Sequence, residues 1–310
     1  MPELPEVTTT VNGLQKVLPG LVFVDVWTDL AKHKQKIKQF KDTIKNESFF
    51  KSFKREIIGQ KIINVERRAK NILINISGGN TILIHLKMTG HLLFGKYAFN
   101  NKIKKWIPAE GESSPLFDPY NRFIHVVFSL SDNRHLAFCD SRKFGKVTII
   151  KTKGSENTPH LRDIGPEPLE RSFSFEKFKN RLLIKPNWKI KTVLMNQSVI
   201  AGIGNIYSDE MLWLSSIHPE SNSNKIPNTK LLKLYKEMKI ILKKGINFGG
   251  DSMSDYRNID GGRGNFQHHH NVYQKKGEKC MKKNCKGVII RKVINGRSAH
   301  YCNVHQQLYT

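Results

Sequence analysis

The chain has 310 residues, enough for two ordinary domains or one large one, each able to bury a hydrophobic core. Its 38% hydrophobic and 9% aromatic content excludes wholesale disorder, and no apolar run reaches the ~18 residues that a membrane span requires. Lys and Arg number 52 against 26 acidic residues, and the net charge of +26 favours a polyanionic partner, either nucleic acid or an anionic membrane surface. The N-terminus lacks a signal-peptide pattern, so the expected location is the cytoplasm and nucleoid of a bacterium or the nucleus of a eukaryote.

The first half of the chain is predicted to be β-structure. From Leu21 to Ile150, short runs rich in Val, Ile and Phe alternate with turn signals, which is typical of an antiparallel sandwich or barrel. Two Lys-rich stretches, 32–55 and 95–121, interrupt these runs and are predicted to be surface insertions. We therefore predict an N-terminal antiparallel β-sandwich over residues 1–151 of an α+β, multidomain protein.

Helical patterns follow a Pro-containing stretch at 152–170, which has few apolar residues and is predicted to be a linker. The clearest helix is predicted at 229–244, where apolar residues recur at helical spacing and Gly245 follows as the expected stop. A helical domain is therefore predicted over residues 171–271. Within it, residues 251–266 are rich in Gly and polar residues, which predicts a long loop.

Three of the four cysteines lie near the C-terminus and have the spacing of metal ligands. Four residues separate Cys280 from Cys285, and two residues separate Cys302 from His305. Two such pairs across a β-hairpin can surround one tetrahedral Zn²⁺, and a zinc ion with four protein ligands has a structural role. We therefore predict one structural zinc in a strongly basic zinc-finger hairpin at 272–310 that contacts DNA. The alternative is a group of buried thiols with His305 exposed.

Six short motifs occur in the same order as in the formamidopyrimidine-DNA glycosylases and their endonuclease VIII relatives, which the chain resembles over nearly its whole length. The motifs are MPELPEV at the N-terminus, RRAK at 67–70, HLKMTG at 85–90, DSRKFG at 140–145, AGIGNIY at 201–207 and GRSAHYC at 296–302. The resemblance implies a helix–two-turns–helix arrangement in the helical domain, between the β-sandwich and the zinc-finger hairpin.

The resemblance also implies an activity. It implies a bifunctional DNA glycosylase and AP lyase that excises oxidised purines from damaged double-stranded DNA and cleaves the strand by β,δ-elimination, acting as a monomer without a membrane partner. Met88 and the loop at 251–266 favour the oxidised-purine branch. The glycines of that loop, Gly261, Gly262 and Gly264, favour a flexible lid whose backbone amides cap an everted base. The alternatives are an endonuclease VIII-like glycosylase for oxidised pyrimidines and a zinc protein that binds damaged DNA without cutting it.

The opening motif has residues that suit this chemistry. An α-amino group has a pKa of about 7.7–8.0, so after removal of Met1 part of the Pro2 amine is neutral and nucleophilic near neutral pH. Attack on C1′ of the deoxyribose displaces the base and leads to an iminium ion, which acidifies the C2′ proton. The resemblance assigns general acid–base catalysis to Glu3. Glu6 either supports the first helix or is an ordinary surface carboxylate.

The other predicted site residues have roles that the resemblance implies. Lys70 contacts the phosphate beside the damaged nucleoside and, with Arg297, is grouped with the catalytic residues. The residues that hold the kinked DNA backbone are His85, Lys191, Asn205 and Arg297. The residues that fill the space left by the everted base are Met88, Arg142 and Phe144. Asn205 also opens a predicted helix after two glycines, and a helix N-terminus suits a phosphate.

The chain departs from the family pattern in three respects. The zinc ligands are arranged as Cys-x4-Cys and Cys-x2-His instead of two Cys-x2-Cys pairs, which puts the metal affinity in question. Lys87 stands where the family usually has Gly. The insertions at 32–55 and 95–121 have no assigned counterpart, and their positive charge favours non-specific DNA affinity.

Overall fold

The computed structural model describes residues 1–31 and 41–310 of the chain. Residues 32–40, which belong to the predicted insertion at 32–55, lie outside the described residues. Within the described part, strands dominate the first half and helices dominate most of the second, which confirms the predicted α+β class. No helix of that part is long and apolar enough to cross a membrane.

The described residues form two compact units, and each unit is built from two separate stretches of chain. Residues 1–162 and 248–265 form the first unit, and residues 163–247 and 266–310 form the second. Most of the loop at 251–266, which the sequence analysis assigned to the helical domain, therefore groups with the N-terminal unit. The physical reason is that Ile259 of this loop is 5% exposed and belongs to the hydrophobic core of that unit.

The first unit is a sandwich of two antiparallel four-stranded sheets, as predicted. Its strands are β1 (Phe23–Thr28), β2 (Ile62–Arg68), β3 (Asn71–Ile76), β4 (Asn80–His85), β5 (His91–Gly95), β6 (Tyr97–Asn100), β7 (Lys105–Pro108), β8 (Ile124–Leu130), β9 (His135–Cys139) and β10 (Lys146–Lys151). One sheet has the order β1-β8-β9-β5 and the other has the order β10-β4-β3-β2, while β6 and β7 form a separate hairpin. The inward faces of the two sheets contribute to one core, because alternate residues of each strand are apolar.

Two helices cover this core. Helix α1 (Leu4–Val17) begins with a reciprocal capping box between Glu3 and Glu6, and it buries Val7 and Leu14 in the core. Helix α2 (Glu47–Ile57) begins at Asn46, whose side chain accepts a hydrogen bond from the Phe49 amide, 2.9 Å away. Both helices therefore start at a residue that satisfies one of their first backbone N–H groups.

The two Lys-rich insertions are not simply surface segments in their described parts, which corrects the sequence prediction. The helix α2 lies largely within the first insertion, and its Phe53 is fully buried in the core. In the second insertion, Tyr97 and Leu116 are 5% and 2% exposed and pack in a second apolar cluster. The abundance of lysine in both stretches masks the few large apolar residues that anchor them.

The second unit is mostly helical and ends in a β-hairpin. Its elements are α3 (Phe175–Leu182), α4 (Ile190–Met195), α5 (Asn205–Ser215), α6 (Asn228–Asn247), β11 (Ile289–Ile294) and β12 (Arg297–Cys302). Ser174 caps α3, since its hydroxyl accepts a hydrogen bond from the Lys177 amide. The predicted stop at Gly245 is wrong, because α6 continues to Asn247. Gly245 is instead a packing position, where an added Cβ would lie 2.4 Å from the Tyr207 hydroxyl oxygen.

Candidate functional site

The N-terminal residues are held in a fixed position by Glu6. Pro2 is buried, and Glu3 and Glu6 are each 1% exposed. The Glu6 carboxylate accepts a hydrogen bond from the Glu3 amide (2.7 Å) and another from the Asp251 amide (2.8 Å). The Tyr256 hydroxyl donates to the Glu6 carbonyl oxygen at 3.0 Å. Glu6 is therefore a buried anchor that joins the start of α1 to the loop after residue 250, and it is not an ordinary surface carboxylate.

Lys70 lies in the tight turn between β2 and β3. Arg68 and Asn71 pair directly across this turn, which leaves only Ala69 and Lys70 to connect the strands. Ala69 has a φ of +53°, in the left-handed region that residues with a Cβ rarely adopt. The Lys70 residue is 5% exposed. The turn thus fixes the backbone of the lysine that the motif RRAK singles out.

His85 is the last residue of β4 and is partly buried. Burial lowers its pKa, and the positive charges of Lys87, Lys70 and Lys146 lower it further, to about 3. Its Nδ1 accepts a hydrogen bond from the Lys87 amide at 3.0 Å, so in the neutral ring the proton resides on Nε2. His85 is therefore a neutral hydrogen-bond donor over the physiological pH range, in a strongly basic neighbourhood.

Two turns that carry predicted DNA contacts are joined by one buried carboxylate. The Thr89 hydroxyl, next to Met88, donates a short hydrogen bond to Asp140. Asp140 also accepts from the Arg142 amide at 3.3 Å, and the guanidinium of Arg142 lies 4.5 Å from the centre of the Phe144 ring. Phe144 is 50% exposed and Met88 is partly exposed. The fold therefore brings the three residues together on adjacent turns.

Both of these turns end in a glycine that packs on Phe138 of β9. A Cβ at Gly90 would lie 2.9 Å from this ring, and a Cβ at Gly145 would lie 2.2 Å from it. Such approaches are shorter than any ordinary carbon–carbon contact, so both positions require glycine. The ring of Phe138 therefore packs against both turns.

In the second unit, Lys191 is not available to a phosphate, which corrects the sequence prediction. The residue is 1% exposed, and its Nζ forms a short ion pair with Asp209, which is also buried. The same Nζ donates to the Ser208 hydroxyl at 3.2 Å and to the Asn205 carbonyl oxygen at 3.5 Å. All three ammonium protons thus have protein acceptors, and Lys191 joins α4 to α5.

Asn205 begins α5, as predicted, and the preceding turn is held by Gln197. The Gln197 amide group donates to the Ile203 carbonyl oxygen at 2.8 Å, and its side-chain oxygen accepts from the Gly202 amide at 2.9 Å. Gly202 has a φ of +83°, which only glycine adopts readily. The side-chain oxygen of Asn205 is buried and has no hydrogen-bond partner among the described residues.

Arg297 lies at the tip of the hairpin formed by β11 and β12. It pairs with Ile294 across a two-residue turn of Asn295 and Gly296, which have φ values of +46° and +74°. The Asn295 amide group donates to the Thr192 hydroxyl of α4 at 3.0 Å. These contacts hold the exposed Arg297 at a fixed distance from α4.

Two consecutive carboxylates of α5 anchor the C-terminal segment. Asp209 accepts from the His300 amide at 2.9 Å, in addition to its ion pair with Lys191. Glu210 is fully buried and accepts five hydrogen bonds from four N–H groups of Asn271, Val272 and Tyr273. Neither carboxylate was predicted as a functional residue, because their partners lie about 60 to 90 residues further along the chain.

Cys280, Cys285, Cys302 and His305 form a cluster that could hold a metal ion. Their ligand atoms all lie within 4.8 Å of one another. The Cys285 and Cys302 sulfurs are 3.5 Å apart, near the roughly 3.8 Å expected between two thiolates of a tetrahedral zinc site. The Nε2 of His305 lies 3.1 Å from the Trp213 carbonyl oxygen, which can only accept, so Nδ1 keeps its lone pair for a ligand. The donor set therefore fits a metal ion, despite the unusual spacing.

The glycine amides of the loop at 251–266 are not free to cap a base, which corrects another prediction. The Gly261 amide donates to the Asn258 carbonyl oxygen at 3.0 Å, and the Gly262 amide donates to the Asn258 side chain at 2.8 Å. The Gly264 amide donates to the Ser252 hydroxyl at 2.9 Å. These glycines permit close packing, because a Cβ at Gly261 or Gly264 would collide with backbone carbonyl oxygens.

Comparison with known families agrees with this arrangement. Residues 1–147 match the formamidopyrimidine-DNA glycosylase N-terminal domain, and residues 164–257 match the H2TH domain of the same enzymes. Curated relatives include the formamidopyrimidine-DNA glycosylases of Pelotomaculum thermopropionicum, 34% identical, and Herpetosiphon aurantiacus, 35% identical. Each of these alignments covers 99% of this chain and 100% of the relative.

Similar solved structures are complexes with DNA. The Lactococcus lactis Fpg bound to DNA with an abasic site is 29% identical, covers 98% of this chain and 99% of its own, and has a TM-score of 0.80. A mutant of that Fpg bound to DNA with Fapy-dG is 30% identical, covers 99% and 100%, and has a TM-score of 0.81. The chain belongs to the formamidopyrimidine-DNA glycosylase family, whose members are DNA glycosylases and AP lyases.

Proposed function

We propose that the protein excises oxidised purines, namely 8-oxoguanine and formamidopyrimidines, from double-stranded DNA and then cleaves the strand. The single observation that carries the proposal is the fixed placement of Pro2 and Glu3 at the start of α1, held by the buried carboxylate of Glu6. The solved relatives bound to DNA with an abasic site or Fapy-dG support the same substrate class.

The proposed reaction begins after Met1 is removed. The Pro2 nitrogen forms a bond to C1′, the bond from C1′ to the base breaks, and the base leaves with the electron pair and gains a proton. The bond from C1′ to the ring oxygen then breaks, that oxygen keeps the electron pair and gains a proton, and the nitrogen lone pair forms the double bond of an iminium ion on C1′. Loss of the C2′ proton and of the 3′ phosphate is the β-elimination, and loss of the C4′ proton and of the 5′ phosphate is the δ-elimination. Glu3 is the proposed acid and base at the sugar.

The other residues of the first unit have proposed roles in binding. His85 is neutral and can donate from Nε2 to a phosphate oxygen without a change of protonation, while Lys70 supplies a positive charge nearby. Met88, Arg142 and Phe144 are proposed to fill the space left by the everted base. Their support is the partial exposure of Met88 and Phe144 on two turns tied through Asp140.

In the second unit we propose DNA contacts for Asn205 and Arg297 only. Asn205 has a buried side-chain oxygen with no partner among the described residues, which is unusual in a folded protein and favours a ligand there. Lys191 is proposed instead to position α5 through Asp209. The protein is further proposed to act as a monomer, in the cytoplasm of a bacterium or the nucleus of a eukaryote.

We propose that the C-terminal cluster holds one structural zinc ion. Three thiolates and an imidazole are a donor set that zinc prefers, and a zinc with four protein ligands has no open position for substrate. Bound zinc would stabilise the fold of the hairpin. The chain's own residues, Asn295 through Thr192 and His300 through Asp209, attach the hairpin to α4 and α5.

Borohydride trapping on a duplex with 8-oxoguanine tests the proposed chemistry. We expect a covalent protein–DNA adduct with the natural protein and much less with Pro2→Gly on the 8-oxoguanine duplex, because the variant should lose most base excision without the secondary amine. Pro2→Gly should still bind the duplex, since Pro2 carries little of the charge that governs affinity. The measurements are the adduct on a denaturing gel and the dissociation constant.

A Pro2→Gly protein that turns over at the natural rate would contradict the proline mechanism. Failure of the natural protein to form any adduct would favour a protein that binds damage without cutting. The endonuclease VIII-like alternative predicts instead an adduct with a thymine glycol duplex and much less with 8-oxoguanine.

A further inference from the structure

A buried arginine joins the loop at 251–266 to the second Lys-rich insertion. Arg257 is 1% exposed, and its Nη2 lies 3.1 Å from a carboxylate oxygen of Asp118. Its guanidinium also lies 4.7 Å from the centre of the Tyr120 ring. Both partners belong to the short 3₁₀ turns at 114–122, which close that insertion. A buried guanidinium loses its hydration, and these partners compensate for that loss. The contact therefore stabilises the buried position of Arg257.

The same arginine shapes the outer turn of the loop. Its Nη1 donates to the carbonyl oxygens of Ser254 and Tyr256, each at 2.8 Å. Asp255, which lies between them, accepts a hydrogen bond from the Ser141 hydroxyl at 3.2 Å. Ser141 precedes Arg142 on one of the turns that carry predicted DNA contacts. Arg257 therefore fixes the part of the loop that lies against that turn.

A second contact supports the loop further along the chain. The Asn121 amide group donates to the Pro115 carbonyl oxygen at 2.9 Å and to the Gly261 carbonyl oxygen at 3.4 Å. The Asn121 side-chain oxygen lies 2.9 Å from Nε2 of the buried His91. A Cβ at Gly261 would lie 2.5 Å from the Pro115 carbonyl oxygen, so the two segments are in direct backbone contact.

Asp118 is ionised in this arrangement. Burial alone would raise the pKa of its carboxyl group. Hydrogen bonds from the Tyr120 amide and from Arg257, together with the charges of Arg257 and Arg263, hold the pKa below its ordinary value. The charge on Asp118 thus balances the buried guanidinium.

We propose that residues 114–122 are a brace that positions the loop at 251–266 for recognition of the damaged base. Asp118 and Tyr120 hold Arg257, and Arg257 holds the turn at 254–256. This inference rests on the proposed function, because the loop is proposed to recognise the damaged base and not the sugar. Asp118, Tyr120 and Arg257 are positioning residues, and none is proposed to contact the reacting atoms.

Two substrates separate this role from general stability. An 8-oxoguanine duplex requires the base to be recognised, whereas a duplex with a preformed abasic site has no base at the lesion. We expect Asp118→Asn to slow single-turnover excision of 8-oxoguanine on the order of tenfold or more, since small displacements of positioning groups have effects of that size. Cleavage of the abasic duplex should stay within about twofold of the natural rate, because Pro2 and Glu3 are untouched.

The matched control is Asp132→Asn. Asp132 pairs with Arg134 at 2.6 Å, and Arg134 stacks 4.4 Å from the Phe94 ring. The groups are the same as in the Asp118 cluster, but this arginine is partly exposed and the pair lies in the turn between β8 and β9. We expect this variant to leave the ratio of the two rates unchanged. Hydrogen exchange of residues 251–266 should be faster in Asp118→Asn and unchanged in Asp132→Asn.

If Asp118→Asn fails to fold, Tyr120→Leu decides the matter, because it removes the aromatic partner and leaves the ion pair. The ratio of the two rates should again fall, by a smaller factor. Equal loss on both substrates, or no change in the ratio for a folded variant, would overturn the brace. A natural protein that cleaves the abasic duplex but never excises 8-oxoguanine would overturn the proposed substrate itself, before any variant is made.

Discussion

Lys87 occupies a backbone conformation that is costly for any residue except glycine. Its φ is +56°, in the turn that presents Met88. The left-handed region costs a residue with a Cβ roughly 1–2 kcal/mol, and part of that cost would be offset by the greater freedom of glycine in the unfolded chain. Ala69 before Lys70 and Lys143 before Phe144 have φ values of +53° and +56°, so the same strain recurs where predicted DNA contacts occur.

We expect Lys87→Gly to raise the free energy of unfolding by about 1 kcal/mol, because it relieves this strain. Urea denaturation of the natural and variant proteins measures the change. Lys87→Ala is the control, since it removes the same charge but keeps the Cβ. If both variants gain equal stability, the cause is the loss of a positive charge near His85 and Lys146, and the backbone explanation is wrong.

The sequence identified the residues that stand within motifs, but it missed the residues that position them. Thr89 and Asp140 are 51 residues apart, and nothing local indicates that one would bond to the other. Lys191 was misassigned for the same reason, because its carboxylate partner Asp209 is defined only by the packing of α4 on α5. Burial of a charged residue depends on partners that are distant in sequence, so a motif alone cannot distinguish a DNA contact from an internal ion pair.

At the scale of elements, the β-hairpin of the second unit gives a test of what the metal ion does. If zinc only stabilises the hairpin that carries Arg297, then Cys302→Ser should weaken DNA binding by disordering the hairpin. Arg297→Ala should weaken binding comparably while keeping zinc, and the slope of log K against log salt should fall by about 0.9 for the lost phosphate contact. Zinc content, affinity and single-turnover rate of both variants provide the measurement.

The two roles of the metal predict opposite patterns for these variants. A catalytic metal would make Cys302→Ser inactive while Arg297→Ala kept most of its rate. An Arg297→Ala protein with natural affinity would show instead that the hairpin tip does not contact DNA. The four protein donors of the cluster favour the structural role.

Most elements could be predicted from periodicity, whereas the glycines were misread. The runs rich in Val, Ile and Phe predicted the strands of the sandwich, because at least one face of each sheet is buried. Gly245 was interpreted as a helix stop, and Gly261, Gly262 and Gly264 were interpreted as parts of a flexible lid. In both places the glycine instead allows a neighbouring group to approach closely, which requires knowledge of the fold. The contact between Arg257 and Asp118, which supports the loop, could not be predicted from the sequence either, since these residues are 139 positions apart.

At the scale of the whole molecule, buried histidines make stability depend on pH. Burial lowers the pKa of His91 to about 4, with a further contribution from the charge of Arg257, while hydrogen bonds to Asn121 and Thr89 and the charge of Asp255 act in the opposite direction. The unfolded chain, with an ordinary histidine pKa of 6.5, binds a proton that the folded chain does not bind until the pH is near 4. The stabilisation present above pH 6.5 is therefore lost as the pH falls toward 4.

We expect the free energy of unfolding to fall in this window with a slope approaching about 1.4 kcal/mol per pH unit for each such histidine. The side-chain amide of Gln in His91→Gln can still donate to Asn121. This variant should therefore reduce the slope by the contribution of one histidine, about 1.4 kcal/mol per pH unit. Urea denaturation at several pH values between 7.5 and 4.5 measures it. Identical slopes for the two proteins would show that His91 titrates normally in the folded state.

The composition of the first unit has a consequence for the gene. Residues 248–265 complete a core to which residues 1–162 also belong, and Ile259 and Tyr256 supply contacts to α1. During translation the sandwich therefore cannot complete its core until residues 163–247 have been synthesised, which takes several seconds at ordinary rates of translation. A chain that ends anywhere from residue 162 to residue 264 leaves both units incomplete. Alleles that encode such chains are expected to behave as full losses of the protein, and none should retain one working half.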